Sequence, residues 1–145
     1  MPTIAAQRAA FATTAASTAS PQSLLVMLYD RLVLDLERAE HAQRTGEVGT
    51  AHTNLVHAQD IVTELAVALD ADAWDGGPGL AALYAWLRTE LVSANVTKDA
   101  ETTAACREVV VPLRDAWREA VAGTPAAGPA AARPAARAAA LGGTA

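Results

Sequence analysis

Cysteine, aromatic residues and long apolar runs are all scarce in this sequence, and each shortage excludes a class of protein. The single cysteine, Cys106, can form no internal disulfide, and without a Cys-x-x-Cys pair neither thiolate zinc binding nor covalent haem attachment is available. Aromatic residues make up 4% of the chain and alanine 37 of its 145 residues, which favours helices over strands. No apolar run approaches the roughly 20 residues that a membrane-spanning helix needs. We therefore expect an all-α protein that does not cross a membrane.

Clusters of basic residues are also lacking. The chain has 11 Lys and Arg against 16 Asp and Glu, a formal net charge of -5. Because Arg133 and Arg137 are the only charges after residue 121, residues 1–121 carry a net charge of -7, which is -5 minus +2. Binding to a phosphate backbone needs clustered Lys and Arg, so we expect no nucleic-acid partner. Thr and Ser interrupt each apolar stretch of residues 1–19, which is unlike a secretory signal and favours a cytoplasmic location.

Start and stop signals for helices divide the middle of the chain into four segments. The first begins at Ser20-Pro21, because Ser is a good N-cap and Pro fits the first helical position. It runs to about Arg44, where Thr45-Gly46 supplies the glycine expected just past a helix end. The second runs from Val48 to near Asp70, and its apolar residues alternate at spacings of three and four, as in an amphipathic helix.

The second pair of segments follows a loop. We assign Ala71–Gly79 to this loop, because it contains Gly-Gly-Pro-Gly but neither the lysine nor the preceding strand of a phosphate-binding loop. The third segment runs from Leu80 to about Val96, and the fourth begins after a turn at residues 97–99. Pro112 lies within the fourth segment and predicts a kink or a break, since proline removes a helical donor.

Four amphipathic helices joined by short turns predict an antiparallel, up-down-up-down four-helix bundle. We place this bundle at residues 20–121. Residues 1–19 are expected to form a loosely docked N-terminal arm. Residues 122–145 contain 12 Ala, 4 Gly and 3 Pro with one Leu, so we expect a disordered tail that buries too little apolar surface to fold.

Residues able to carry catalysis or bind a metal do not form a recognisable pattern. Glu-x-x-His pairs, which di-iron bundles require, are absent, and His41, His52 and His57 read as surface histidines. His57 has Asp60 within reach on its own helix. Cys106 has no His on its predicted face and reads as a buried structural thiol. We expect no enzyme activity, no metal and no cofactor.

Apolar residues are more numerous than one buried stripe requires. Ten of the thirteen positions from Leu24 to Leu36 are apolar, and the third segment adds Trp86, Val92 and Val96 away from its main face. Either the arm and loops cover this surface, or it forms a groove for an amphipathic partner helix.

Five short motifs occur in the order and spacing of one family. TASP at 18–21 with MLYD at 27–30, AQDIV with EL at 58–65, ALY at 82–84, AN at 94–95 and LR-x-AW at 113–117 together resemble the flagellin export chaperones, the FliS family. The resemblance covers about residues 11–121. The chain departs from the family pattern at Arg31, where a glycine is usual, at Phe11, where a tyrosine is common, at Pro112 and in the tail.

The resemblance implies a cytoplasmic chaperone that binds the C-terminal amphipathic helical region of flagellin. It would bind in a one-to-one complex, prevent premature polymerisation and keep flagellin competent for export, and it leaves room for other flagellar export components as partners. The alternative is a helical dimerisation or interaction module with no flagellin client, whose extra apolar surface is a self-interface.

Eight residues are our candidates for partner contacts. The apolar ones are the arm residue Phe11 and, on the helices, Met27, Tyr29, Leu91 and Ala94, and these four are equally compatible with the bundle's interior. The polar ones are Gln59, Asp60 and Asn95, which stand at motif positions and are equally compatible with hydrogen bonds that hold the bundle's own turns.

Overall fold

The structure, a computed structural model, describes residues 3–4 and 20–123. Residues 20–123 form four α-helices and no strand: α1 (Pro21–Arg44), α2 (Val48–Ala68), α3 (Gly77–Thr97) and α4 (Ala100–Gly123). The prediction of an all-α four-helix bundle is confirmed. Nearly all of the predicted arm, Phe11 included, and the tail from residue 124 onward lie outside the described residues.

The helices pack in the order of the chain. Residues 45–47, 69–76 and 98–99 connect them, and these short connections make each helix antiparallel to the next. Helix α1 packs most extensively against α4 and α2, whereas α3 packs less against α2 and least against α4. The bundle is therefore closed by α1 and α4, and α3 is its least covered helix. None of the described helices is long and apolar enough to cross a membrane.

The helix ends follow local chemistry. The Ser20 hydroxyl accepts a hydrogen bond from the Ser23 amide at 3.2 Å, so it caps α1 as expected. Gly46, which follows α1, has φ +79°, a conformation that glycine adopts without strain. Helix α3 begins at Gly77, three residues before the predicted start, because proline fits the first turn of a helix. A Cβ at Gly77 would overlap the Ala71 carbonyl, so only glycine fits there.

Helix α4 is continuous through Pro112. The prediction of a break at this position was wrong, since the helix runs from Ala100 to Gly123. Pro112 deprives the Glu108 carbonyl of its usual donor, but both residues are exposed and water can satisfy that carbonyl. A proline on the outer side of a helix therefore costs much less than one facing the core.

A layer of fully buried side chains fills the bundle, with contributions from all four helices. The Tyr29 and Tyr84 hydroxyls lie 2.6 Å apart within it and form a buried hydrogen bond between α1 and α3. Burial raises the pKa of Tyr29 to about 12 and the pKa of Tyr84 well above its ordinary value. Cys106 is buried, as predicted, and burial raises its pKa to about 12. The core is therefore built around neutral side chains.

Candidate functional site

The outer side of α1 and α4 is occupied by the protein's own charges. Asp30 pairs with Arg118 at 2.6 Å, and Glu40 pairs with Arg107 at 2.9 Å. Burial acts to raise the pKa of Glu40, but hydrogen bonds from Arg107 and Arg44 outweigh it and the pKa is lowered. This side is the least suited to receive an apolar partner.

One carboxylate is fully buried between α1 and α2. Asp35 accepts a hydrogen bond from Arg31 at 3.1 Å and a second, short one from His57 Nδ1. Sequence reasoning missed this cluster and treated His57 as a surface histidine near Asp60. The available signal was the position of Asp35, which lies three residues after Leu32 on the buried stripe of α1. Arg31 therefore has a structural partner on its own helix.

Polar side chains also fasten the end of the bundle where α1 meets α2. Gln43 donates a hydrogen bond to the Ala94 carbonyl at 3.1 Å and accepts one from the buried Thr103 hydroxyl at 2.7 Å. Asn95 donates to His52 Nδ1 at 3.0 Å, which links α3 to α2. A cleft of about 510 Å³ lies beside these residues. For Asn95 the structure thus shows a bond that holds the bundle itself.

The outer groove between α2 and α3 is different in character. It encloses about 580 Å³ and is lined, from α2, by Gln59, Asp60 and Thr63 and, from α3, by Ala85, Arg88, Thr89 and Val92. Within the described part of the chain, neither Asp60 nor Arg88 makes an ion pair. The groove therefore has one carboxylate and one guanidinium that its own fold does not use.

Two stripes of exposed or half-buried residues border this groove. The α2 stripe is Val56, Asp60, Thr63 and Val67, and the α3 stripe is Ala85, Thr89, Val92 and Val96, both with spacings of four, three and four. We call these eight residues the α2–α3 face. Val67 and Val96 are 76% and 72% exposed, and Val92 is 48% exposed. The spacing is that of residues on one side of a helix, so each stripe presents a continuous edge to a partner.

The structure brings some predicted contact residues together and separates others. Gln59 and Asp60 lie side by side in the groove of the α2–α3 face. Met27 is 41% exposed but lies on α1. Asn95 is half-buried near the C-terminal end of α3. Sequence reasoning did not single out Arg88, although it is one of only two charged residues in α3.

The remaining described candidates are internal. The side chains of Tyr29, Leu91 and Ala94 are fully buried and belong to the hydrophobic core. They correspond to the second alternative that the sequence left open, a place in the bundle's interior. Phe11 lies outside the described residues.

No metal centre accompanies the groove. Across residues 3–4 and 20–123, no three His, Cys, Asp or Glu side chains are placed to hold a metal ion. The buried Asp35 is committed to two hydrogen bonds. The groove of the α2–α3 face is suited to bind a partner protein through non-covalent side-chain contacts.

Comparison with known proteins gives two findings. The family profile described as "Flagellar protein FliS" matches residues 4–124. A curated protein of Bacillus subtilis (strain 168), named "Flagellar secretion chaperone FliS", is 30% identical over 105 residues, which cover 72% of this chain and 78% of that protein.

Proposed function

Because the chain belongs to the FliS family of flagellar proteins, we propose that it is a cytoplasmic secretion chaperone whose client is flagellin. It binds the C-terminal amphipathic helical region of flagellin in a one-to-one complex and so keeps this region from polymerising before export. Residues 20–121 are the binding domain in this proposal, and residues 1–19 and 122–145 are its arm and tail.

The observation that carries the proposal is the α2–α3 face. An amphipathic helix buries its i, i+3, i+4 and i+7 side chains in a groove, and the residues of the two stripes recur at intervals of three and four, with a valine at four of the eight positions. The side formed by α1 and α4 does not compete, because its acids and arginines already pair with each other. A helix docked on the α2–α3 face would convert exposed valine surface into a second apolar layer.

The polar residues of the groove give such a contact its direction. Asp60 and Arg88 approach the groove from opposite helices and have opposite charges. In one orientation of the client helix, a charged client side chain lies beside the residue of opposite charge and gains a charge-assisted hydrogen bond. In the reverse orientation it lies beside the residue of the same charge and is repelled. Asp60 and Arg88 therefore select one orientation of the client helix, and Gln59 adds a neutral donor and acceptor.

The face is shorter than the client region that it serves. From Val56 to Val67 it extends about 16 Å at 1.5 Å per residue, which matches about three turns of a client helix. Binding that orders a disordered segment usually buries on the order of 1,000 to 3,000 Å². Other exposed apolar side chains, such as Met27 and Trp86, extend the contact in this proposal, whereas Tyr29, Leu91 and Ala94 support it from inside the bundle.

Calorimetric titration with a peptide from the C-terminal region of the cognate flagellin tests the proposal. We expect one-to-one binding with a negative heat-capacity change, since apolar surface is buried. Val92→Glu should weaken binding about 10-fold or more, because burying a valine is worth about 1.5–3 kcal/mol and 1.4 kcal/mol is tenfold. Ala105→Glu is the control, since Ala105 is exposed on α4 and lies outside both stripes and outside the clefts that adjoin them. Equal weakening by both variants would contradict this placement of the client.

Self-association is the second candidate function, and the same exposed valines favour it. Light scattering separates the two possibilities. A stable dimer in the absence of peptide that Val92→Glu dissociates would support a self-interface. A monomer whose mass rises by one peptide would support the chaperone.

A further inference from the structure

A small pocket lies at the end of the bundle where α2 ends and α3 begins. It encloses about 180 Å³ and is lined by residues from all four helices and from the connection at residues 69–76. Among the described residues that line it, six are aliphatic, three are aromatic and one, Asp70, is charged. A cavity of about 150 Å³ with apolar walls can hold benzene, whereas sites for drug-sized ligands enclose about 300–1,000 Å³. The pocket therefore fits one small apolar group.

The aromatic residues give this pocket apolar ring surface. The Tyr84 hydroxyl is already bonded to the Tyr29 hydroxyl, at 2.6 Å, inside the core. The Trp117 N–H is fully buried and lies near the same Tyr29 hydroxyl. Because both polar atoms lie beside Tyr29, the two rings offer a ligand their apolar parts. Trp74, which is half-buried in the connection before α3, is the third aromatic residue of the pocket.

The charges beside the pocket are all negative. Asp70, Asp72 and Asp75 are exposed in the connection at residues 69–76, which contains no Lys or Arg. Within residues 20–123, none of these three carboxylates forms an ion pair. An anionic ligand is repelled by such a group of charges and a cationic ligand is attracted. Only Asp70 also lines the pocket, so it is the carboxylate that can pair with a bound cation.

The two properties together specify the chemistry of a ligand. Its body must be apolar and small, to fill a space with aliphatic and aromatic walls. Its end must be positive, to lie beside Asp70 at the pocket. Tryptophan is the side chain whose ring attracts cations most strongly, so Trp74 favours the same charge. Amines with a short apolar body have this chemistry, and so does a lysine side chain, which has an apolar stem and a charged head.

We propose that this pocket is a binding site for an organic ammonium ion with a short apolar body, which packs against Trp74 and Leu80 while the ammonium group lies beside Asp70. Two sources share this chemistry: a free aralkylamine and a lysine side chain of another protein. The pocket has no lining residue in common with the groove of the α2–α3 face. The inference therefore stands whether or not flagellin is the client.

Nuclear magnetic resonance titration of the full, isotope-enriched chain tests the proposal. The probes are phenethylamine, phenethyl alcohol and phenylacetate, which are similar in size and differ in charge. We expect phenethylamine to shift the indole N–H signals of Trp74 and Trp117. Trp86 is the internal control, because it is 40% exposed on α3 and lies outside the pocket. The amine should bind about 3- to 5-fold more tightly than the alcohol, since an ion pair with an exposed carboxylate is modest, and phenylacetate should bind most weakly.

Asp70→Asn should make the amine and the alcohol bind equally. Asp72→Asn is the matched control, because Asp72 is exposed in the same connection but does not line the pocket, and it should keep the preference for the amine. A preference that persists in Asp70→Asn, or that both variants lose equally, would overturn the proposal. So would the absence of binding, binding of phenylacetate as tight as that of the amine, or shifts at Trp86 as large as those at Trp74.

A further probe distinguishes the two sources of the ligand. It is lysine with its α-amino and α-carboxyl groups blocked, so that only the side chain is charged. Competition of this probe with phenethylamine, lost in Asp70→Asn, would assign the pocket to a lysine side chain of a partner protein. Binding of phenethylamine without such competition would assign it to a free amine. Either result supports an ammonium site.

Discussion

The hydrogen bond between Tyr29 and Tyr84 allows a sharp test of how the core is stabilised. The two hydroxyls are 2.6 Å apart, and both side chains are at least 98% buried. Tyr29→Phe removes one partner and leaves the Tyr84 hydroxyl buried without a bond, which costs about 1–3 kcal/mol. Removing both hydroxyls leaves neither hydroxyl buried without a partner, so the double variant Y29F/Y84F avoids that cost and loses only the contact between the Tyr29 hydroxyl and the Trp117 indole N–H. The double variant is therefore expected to be more stable than the single variant Tyr29→Phe.

The two single variants should differ from each other. The Trp117 indole N–H is buried without a hydrogen bond of standard geometry, yet it lies near enough to the Tyr29 hydroxyl to lower that pKa. In Tyr84→Phe the Tyr29 hydroxyl still has the Trp117 indole N–H as a neighbour. In Tyr29→Phe both the Tyr84 hydroxyl and the Trp117 N–H lose their neighbour. We expect Tyr29→Phe to be the more destabilising change.

Urea unfolding followed by circular dichroism measures these differences at equilibrium. For a domain of this size, 1 kcal/mol corresponds to about 4–8 °C in melting temperature, so thermal melts give an independent reading. This double-mutant cycle requires that the free energy of unfolding depend equally steeply on urea concentration in the wild type, the two single variants and the double variant. If the losses of the two single variants simply add in the double variant, the hydroxyls do not depend on each other and the reasoning fails.

Three further predictions follow from buried groups and close backbone contacts. Because burial raises the pKa of Tyr29 from 10.0 to about 12, its contribution to stability is complete below pH 10 and is lost towards pH 12, and Y29F/Y84F should lose less stability over that range in urea titrations. The Cys106 thiol should resist a thiol reagent in the native protein and react at once in urea; rapid native labelling would mean that the core opens. Gly77→Ala should lower the free energy of unfolding by several kcal/mol, as a severe packing defect does, because its Cβ would overlap the Ala71 backbone. Gly79→Ala should be neutral or slightly stabilising, because its Cβ would meet no atom. Equal unfolding midpoints for the two variants would contradict this.

Local sequence signals were sufficient for most of the fold. Ser20-Pro21 and Thr45-Gly46 marked the ends of α1 to the residue, because capping and glycine conformation act over a few residues only. The same reasoning misplaced the start of α3, since Gly77 and Pro78 resemble a linker and the close approach of Ala71 that requires a glycine at position 77 cannot be read from the sequence. The alternative of a break at Pro112 was wrong for a related reason, because the cost of a helical proline depends on which side of the helix faces water.

The candidate site was only partly predictable. Gln59 and Asp60 were identified from family motifs, and they line the groove of the α2–α3 face. Tyr29, Leu91 and Ala94 came from the same motifs but are internal, because a motif does not distinguish residues that touch a client from residues that shape the bundle. The pairing of Asp35 with His57 joins residues 22 positions apart, so it depends on how α1 and α2 are rotated about their axes.

The packing of α1 against α4 has a consequence for how the protein is made. These two helices form the most extensive contact in the bundle, although 55 residues separate the end of the first from the start of the second. Ribosomes add about 5–20 residues per second, so α1 waits several seconds for α4 to be synthesised. During that interval α2 can already cover part of α1, but the apolar surface that α4 covers in the finished bundle has no partner. A nascent copy of this chain therefore briefly exposes apolar helix surface, which is the kind of surface that it covers on its client in the proposed function.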